Sequence, residues 1–208
     1  MVVPSLPSPP DPFGPQPPLE PSLKELRRIA ALDARKTFVR SVGDAAKTRL
    51  EQKLAERLTA VCASASVVGG YSPLGSEISP LLAMEEARSV GAIVAFPAFH
   101  NPAKPFRFLA GDPLSPGPFG ILQPKLTAPA VEPDLVLVPL IAVDSKGNRL
   151  GRGKGHYDRV LGRLRKGGAK LVGVGWSIQR IRGAIPADPW DIPLDGFASP
   201  ERLEWFKR

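Results

Sequence analysis

Hydrophobic positions along this chain change their rhythm once, near residue 65. Before that point they fall at roughly helical spacing. Ser22 stands where a cap belongs, ahead of a stretch rich in Ala, Arg, Lys and Leu that predicts a helix from about Lys24. Gly43-Asp44 interrupts it. A second helix is expected to run to about Ala60, with Leu50, Leu54, Leu58 and Val61 as its apolar stripe. Beyond Ser66 the apolar residues gather into short unbroken runs. Ser66–Tyr71, Ala92–Phe96, Leu135–Val143 and Lys170–Trp176 read as buried strands, and Phe106–Ala110 as a shorter one. Helical stretches lie between them at Ser79–Val90 and His156–Lys166. Alternation of near-continuous apolar strands with helices predicts an α/β fold: a three-layer sandwich with a mostly parallel sheet covered by helices on both faces. The proline-rich region from Pro97 to Pro133 is expected to form long loops over one edge of the sheet.

Composition adds a boundary. Of the 25 prolines in 208 residues, nine fall within residues 1–21. Each fixes φ and removes a donor, so this segment is expected to be an extended, polyproline-like arm ahead of a single domain at 22–208. The one cysteine, Cys62, excludes an internal disulfide and a Cys-rich zinc site. The longest apolar run, Leu135–Val143, is too short to span a bilayer, and no membrane association is expected. The first basic residue is Lys24, so the N-terminus lacks the features of a signal or transit peptide, and a cytoplasmic location is expected.

Net charge is +8, and its distribution matters more than its size. Lys146 to Lys170 holds nine basic residues and one acid, Asp158, a local balance of 9 − 1 = +8; the remaining 28 − 9 = 19 basic and 20 − 1 = 19 acidic residues cancel. Charge concentrated in one segment points to an anionic partner there: nucleotide phosphates, a polyanionic small molecule or a nucleic acid backbone.

Within that segment a buried strand ends in a polar turn, followed by Gly151, Gly153 and Gly155 at alternate positions and then a helix. Glycines let backbone N–H groups turn toward an anion, the helix start adds unpaired donors, and Arg152 and Lys154 add full charges. The product is a phosphate cradle, with a glycine-rich hairpin bearing solvated charges as the alternative. A Walker A loop is excluded, because Asn148 stands where its first glycine belongs and Gly155 where Ser or Thr must follow the lysine. The dinucleotide fingerprint fails at His156.

"GNRLGRGKGHYDR" resembles the signature loop of the 5-formyltetrahydrofolate cyclo-ligase family, also called 5,10-methenyltetrahydrofolate synthetases. "SPGPFGILQPK", "DLVLVPLIAVD", "YSPLGSEIS" and "PADPWDIPLD" resemble further family segments in the same order, over most of the chain from Lys24 onward. His156 replaces an aromatic residue of the family loop, Gln123 a frequent glutamate, and Arg27 an expected leucine.

The resemblance implies an ATP-dependent ligase that converts 5-formyltetrahydrofolate to 5,10-methenyltetrahydrofolate with release of ADP and phosphate. Phosphorylation of the formyl oxygen makes it a leaving group, and N10 closes the ring. Lys154 and Arg152 are then the expected catalytic charges. ATP would be held by Lys24, Arg28, Arg149, Leu150 and the run Gly151, Arg152, Gly153, Lys154, Gly155, His156 and Tyr157. The folate would meet Tyr71, Ser72, Glu77 and the residues Arg152 to His156. Asp158 and Asp191 are the expected ligands of Mg2+. Asp158 also suits a helix first turn, and Asp191 a turn before Ile192-Pro193. A monomer is expected. The competing reading is a diverged, non-catalytic relative that binds RNA or folate through the basic loop. Against RNA, the segment offers a single aromatic, Tyr157, where stacking platforms need several, and nucleic acid is not an expected partner.

Overall fold

A computed structural model describes residues 21–207. The expected proline-rich arm lies outside them except for Pro21. The first two helices form as the pattern predicts. α1 spans Leu23–Val42, and the Ser22 hydroxyl accepts the Glu25 N–H at 3.2 Å. Gly43, at φ +71°, separates it from α2, Asp44–Ala63.

Strands and helices then alternate: β1 Val67–Gly69, α3 Leu81–Ser89, β2 Ile93–Ala98 and β3 Arg107–Ala110. After β4 Ser115–Pro116 and β5 Leu122–Gln123 come β6 Leu135–Pro139, β7 Ala142–Val143 and β8 Arg149–Leu150. α4 Asp158–Lys166, β9 Lys170–Val174, β10 Gly196–Ala198 and β11 Leu203–Trp205 complete the order. Among the described residues the main sheet runs β11-β10-β9-β6-β1-β2-β3. Its five inner strands are parallel, and β3 and β11 pair antiparallel at the edges.

Alternation along β6 shows why both faces need cover. Leu135 and Leu137 join a core with Leu54 and Leu58 of α2 and Met84 of α3. Val136 and Val138 face the other way, into a core with Val160, Leu161 and Leu164 of α4. Cys62 is buried in the first of these cores, and its thiol is pushed up to about 12, chiefly by burial. Among the described residues no helix is long and apolar enough to cross a membrane.

Three expectations need correction. The run Leu135–Val143 is not one strand. Pro139 offers no N–H to a ladder, and the Leu140 carbonyl turns to the Arg35 and Gln179 side chains, at 3.1 and 2.7 Å. The helix expected from His156 begins at Asp158. The region Pro97–Pro133 carries the short β4–β5 ladder. β10 and β11 were not foreseen.

The strand order fixes where a ligand belongs. From β1 the chain passes through α3 to β2 on one side; from β6 it passes through α4 to β9 on the other. The sheet therefore reverses direction between β1 and β6, and a crevice opens at their C-terminal ends.

Candidate functional site

A cleft of about 610 Å³ occupies that crevice. Tyr71 to Glu77 reach it from the end of β1, Phe99 from the end of β2, and Pro139 to Ile141 from the end of β6. The short β7–β8 ladder then delivers Gly151–Asp158 to its rim. Every expected site residue lines the cleft except Leu150, which is fully buried against Ile141, Ala142 and Ile185. Leu150 anchors the loop and offers no side chain to a ligand.

Only two of the three loop glycines are required by conformation. Gly153 and Gly155 take φ of +84° and +62°, where a Cβ is strained. Gly151 has an ordinary φ, and an added Cβ there would meet open space. No side chain caps α4, and the N–H groups of Arg159, Val160 and Leu161 turn back to the Gly155 and Tyr157 carbonyls beside these turns. Arg28, on α1, donates from Nε to the Gly151 carbonyl at 2.8 Å and also pairs with Glu25. Its guanidinium lies 3.5 Å from where a Gly153 Cβ would stand.

The charged residues arrive already partnered. Arg149, expected as an ATP contact, is buried beneath the loop and donates to Asp158 Oδ1 at 2.9 Å. Burial lowers its pKa from the ordinary arginine value, with Asp158 and Asp191 opposing. Arg152 donates to Glu77 Oε1 at 3.0 Å, while Glu77 Oε2 accepts the Leu74 N–H at 2.9 Å. Lys24 bridges Asp188 and Asp191 at 2.7 and 2.6 Å. Burial alone would push the Asp191 carboxyl up; Lys24, the Asp188 N–H and Arg149 together hold it below its usual range. Lys154 has no acidic partner among the described residues and sits over the Phe119 ring, 4.1 Å from its centroid.

The aromatic side of the cleft was largely missed by the sequence reading. His156 packs against Phe99 and Phe119, with centroids 5.2 and 5.3 Å away. Burial, then Arg159 and Lys154, lowers the His156 pKa and favours the neutral ring. Both of its ring nitrogens are buried without a hydrogen-bond partner among the described residues. Phe119 holds a left-handed backbone, φ 62° and ψ 18°, between Pro118 and Gly120. For a non-glycine residue that is a strained state, costing about 1–2 kcal/mol. The Pro-Phe-Gly triplet was a turn signal, but nothing in it announced a ring beneath a lysine.

Arg35 was also missed. It is 1% exposed and donates from Nε to the Ser76 hydroxyl at 3.0 Å. Trp176 and Gln179 belong to the same support: the Trp176 indole donates to the Ser76 carbonyl, and the Gln179 amide to those of Leu140 and Ile141. Tyr71 is buried too, its hydroxyl donating to the Ile78 carbonyl at 2.7 Å. Gln123, buried, accepts the Phe99 N–H at 3.0 Å and fixes that side of the cleft.

Together these elements make a cleft with an apolar aromatic side, a glycine-turned loop with cations at one rim, and carboxylates beside them. That combination suits a flat, partly apolar ligand meeting a phosphate-bearing one. A protein-family model described as the 5-formyltetrahydrofolate cyclo-ligase family matches residues 20–200. The 5-formyltetrahydrofolate cyclo-ligase of Mycolicibacterium smegmatis is 32% identical over 200 residues, covering 88% of this chain and 97% of that protein. The Haemophilus influenzae protein of the same name is 33% identical over 132 residues, 60% of this chain and 70% of the other. An NMR structure of Aquifex aeolicus 5,10-methenyltetrahydrofolate synthetase superposes with a TM-score of 0.75 at 26% identity, over 90% of this chain and 94% of that one.

Proposed function

The chain belongs to the 5-formyltetrahydrofolate cyclo-ligase family and is an enzyme of that class, and we propose that it uses the cleft at the β1/β6 switch point to drive the cyclisation with ATP. In this reading the γ-phosphoryl group passes to the formyl oxygen of 5-formyltetrahydrofolate. N10 then attacks the formyl carbon, the carbon–oxygen bond breaks, and phosphate departs to leave the 5,10-methenyl product.

The observation that carries the proposal is the Gly151–Asp158 loop, with left-handed turns at Gly153 and Gly155, and Lys154 without an acidic partner among the described residues. Such a loop does little covalent chemistry; it positions and neutralises a transferring phosphoryl group. Lys154 supplies the movable charge. Arg152, held by Glu77, supplies a second charge on the folate side. Glu77 keeps lone pairs beyond those it uses for Arg152 and Leu74, and these suit ring N–H groups of a pterin. The aromatic wall offers edges and faces to that ring, and the unpartnered nitrogens of His156 offer a donor and an acceptor in a neutral imidazole.

Magnesium fits the donor set. The contacts of Asp158 fall on Oδ1 and those of Asp191 on Oδ2, so each carboxylate has an oxygen outside these bonds. Two carboxylates would leave the remaining positions of such an ion to phosphate and water. Asp158 and Asp191 would hold the ion, which when bound spreads the charge of the phosphate chain. Asp158 also neutralises buried Arg149, so replacing it disturbs more than a metal ligand.

Charge pairing across the fold counts against the RNA reading. Glu77, Glu132 and Asp195, from outside the basic segment, pair with Arg152, Arg163 and Arg165. The proposal is tested by incubating the purified chain with Mg2+, ATP and 5-formyltetrahydrofolate and following the absorbance of the methenyl product. ATP-dependent product formation is expected; product formation without ATP, or none with it, would overturn the reading.

A further inference from the structure

Arg35 is a cation in the core that no carboxylate holds. Its side chain is 1% exposed, and among the described residues no acid forms an ion pair with it. Its bonds go to neutral oxygens: Nε donates to the Ser76 hydroxyl at 3.0 Å and Nη1 to the Leu140 carbonyl at 3.1 Å. A guanidinium that deep ordinarily faces an acid, because taking a lone charge out of water is costly. Burial accordingly lowers the Arg35 pKa from the ordinary arginine value, and Glu77 is the first group to oppose the fall. Its place on α1 explains its depth. Lys24, Arg28 and Arg35 stand four and then seven residues apart, which puts them on one helix face. The first two reach the rim of the cleft, and the third reaches beneath it.

The two acceptors of Arg35 belong to the two segments that diverge at the switch point. Ser76 lies in the turn after β1, immediately before Glu77, and Leu140 follows β6. Each residue is held from another direction as well: the Ser76 carbonyl accepts the Trp176 indole at 2.9 Å, and the Leu140 carbonyl the Gln179 amide at 2.7 Å. Glu77 above them has a different kind of partner. Arg152 belongs to the loop and its side chain is 51% exposed, against 9% for that of Glu77. Glu77 therefore stands between one fixed guanidinium and one that can leave.

On the reading of Glu77 as a pterin contact, we infer that Arg35 is a positioning residue for folate recognition: acting through Ser76, it keeps the Glu77 carboxylate aimed into the cleft when Arg152 turns from it to a bound ligand. Without a fixed cation nearby, an almost buried carboxylate would be left uncompensated whenever Arg152 moved. With Arg35 in place, Arg152 can exchange partners at small cost. Arg35 does not line the cleft and touches no ligand itself. Its effect belongs to the folate side, since the Gly151–Asp158 loop bonds to neither Arg35 nor Ser76.

The test measures binding of 5-formyltetrahydrofolate by calorimetry without ATP, and of ATP without folate. Arg35→Lys keeps the charge but cannot hold both acceptors in one planar fork. Ser76→Ala removes only the hydroxyl, at a residue outside the cleft lining, and serves if Arg35→Lys folds poorly. The folate Kd should rise about tenfold in Arg35→Lys and about threefold in Ser76→Ala, the scale of a hydrogen bond to a charged group lost wholly or in part. The Kd for ATP should not move. The deciding readout is a double-variant cycle. In a Glu77→Gln background, whose amide keeps one acceptor oxygen, Ser76→Ala should weaken folate binding no further, because its effect runs through the carboxylate. Full additivity, an equal rise in the Kd for ATP, or a lower melting temperature with both Kd values unchanged would overturn the inference and leave Arg35 a purely structural residue. If methenyl product never forms but folate binding keeps this dependence on Ser76 and Glu77, the ligase reading fails and the positioning role stands. Product formed at the parental folate KM in both variants would sink the positioning role and leave the ligase reading intact.

Discussion

Two consecutive turns follow β6, and in sequence they look alike: Asp144–Asn148 and Gly151–Asp158 are both polar, glycine-bearing and charged. In structure they are opposites. Asp144 is 1% exposed, and its carboxylate accepts from the Lys146, Asn148 and Ile185 N–H groups and from the Asn148 amide. Every bond in that turn closes on the chain itself. In the second turn the helix start closes on the chain as well, but Lys154 lies over an aromatic ring and both His156 nitrogens lack a partner among the described residues. A closed network is scaffold. An open one in a crevice is built for something that is not part of the chain.

The largest effect should come from the open turn. Lys154→Gln is expected to cut kcat by about 100- to 1,000-fold, the 2.7–4 kcal/mol scale of one lost transition-state donor, with the melting temperature nearly unchanged. Near-parental kcat would remove Lys154 from the chemistry. Asp144→Ala should do the reverse. It strands several buried donors and is expected to cost about 3 kcal/mol in denaturant unfolding, while the protein that remains folded keeps its kcat. Burial would push the Asp144 carboxyl up, but the Ile185 N–H and the Asn148 and Lys146 donors outweigh it and hold it below 3.8. Its contribution is therefore present above that ordinary value and lost as pH falls through the lowered one. The Asp144→Ala penalty should shrink in strong acid.

The glycines divide the open turn itself. Gly153→Ala is expected to lose about 1–2 kcal/mol through its left-handed φ, together with ATP affinity. Gly151→Ala, with an ordinary φ and open space at its Cβ, should leave both near the parental values. Equal losses in the two variants would mean that the loop does not hold these turns. His156 gives the smallest effect. Its pKa is lowered from 6.5, so the unfolded chain takes up the proton first, and stability falls as pH drops below that value. His156→Phe should flatten the decline in melting temperature between pH 7 and 5 without changing its value at pH 8.

Most of this architecture was legible in the chain because buried strands and an amphipathic α2 write their periods plainly. The loop was legible because alternate glycines beside Arg152 and Lys154 have few other uses. What stayed hidden depends on partners distant in sequence. Nothing near Arg149 says that Asp158 will neutralise it, nor does anything near Lys24 announce Asp188 and Asp191. Arg35 reads as a surface position until Ser76 and Leu140 close on it. β10 and β11 are three residues each and carry too little pattern, forming because β9 offers an edge. The aromatic side was scattered over Phe99, Phe106 and Phe119, and only the fold gathers it.

The central claim is that the open turn serves phosphoryl transfer to the formyl oxygen. It is tested most directly with substrate carrying oxygen-18 in the formyl group. Released phosphate is analysed by mass spectrometry after one turnover with ATP and Mg2+. The account predicts one labelled oxygen in each phosphate formed alongside methenyl product. Product formed with unlabelled phosphate would contradict it, because the formyl oxygen would then have left without ever being phosphorylated.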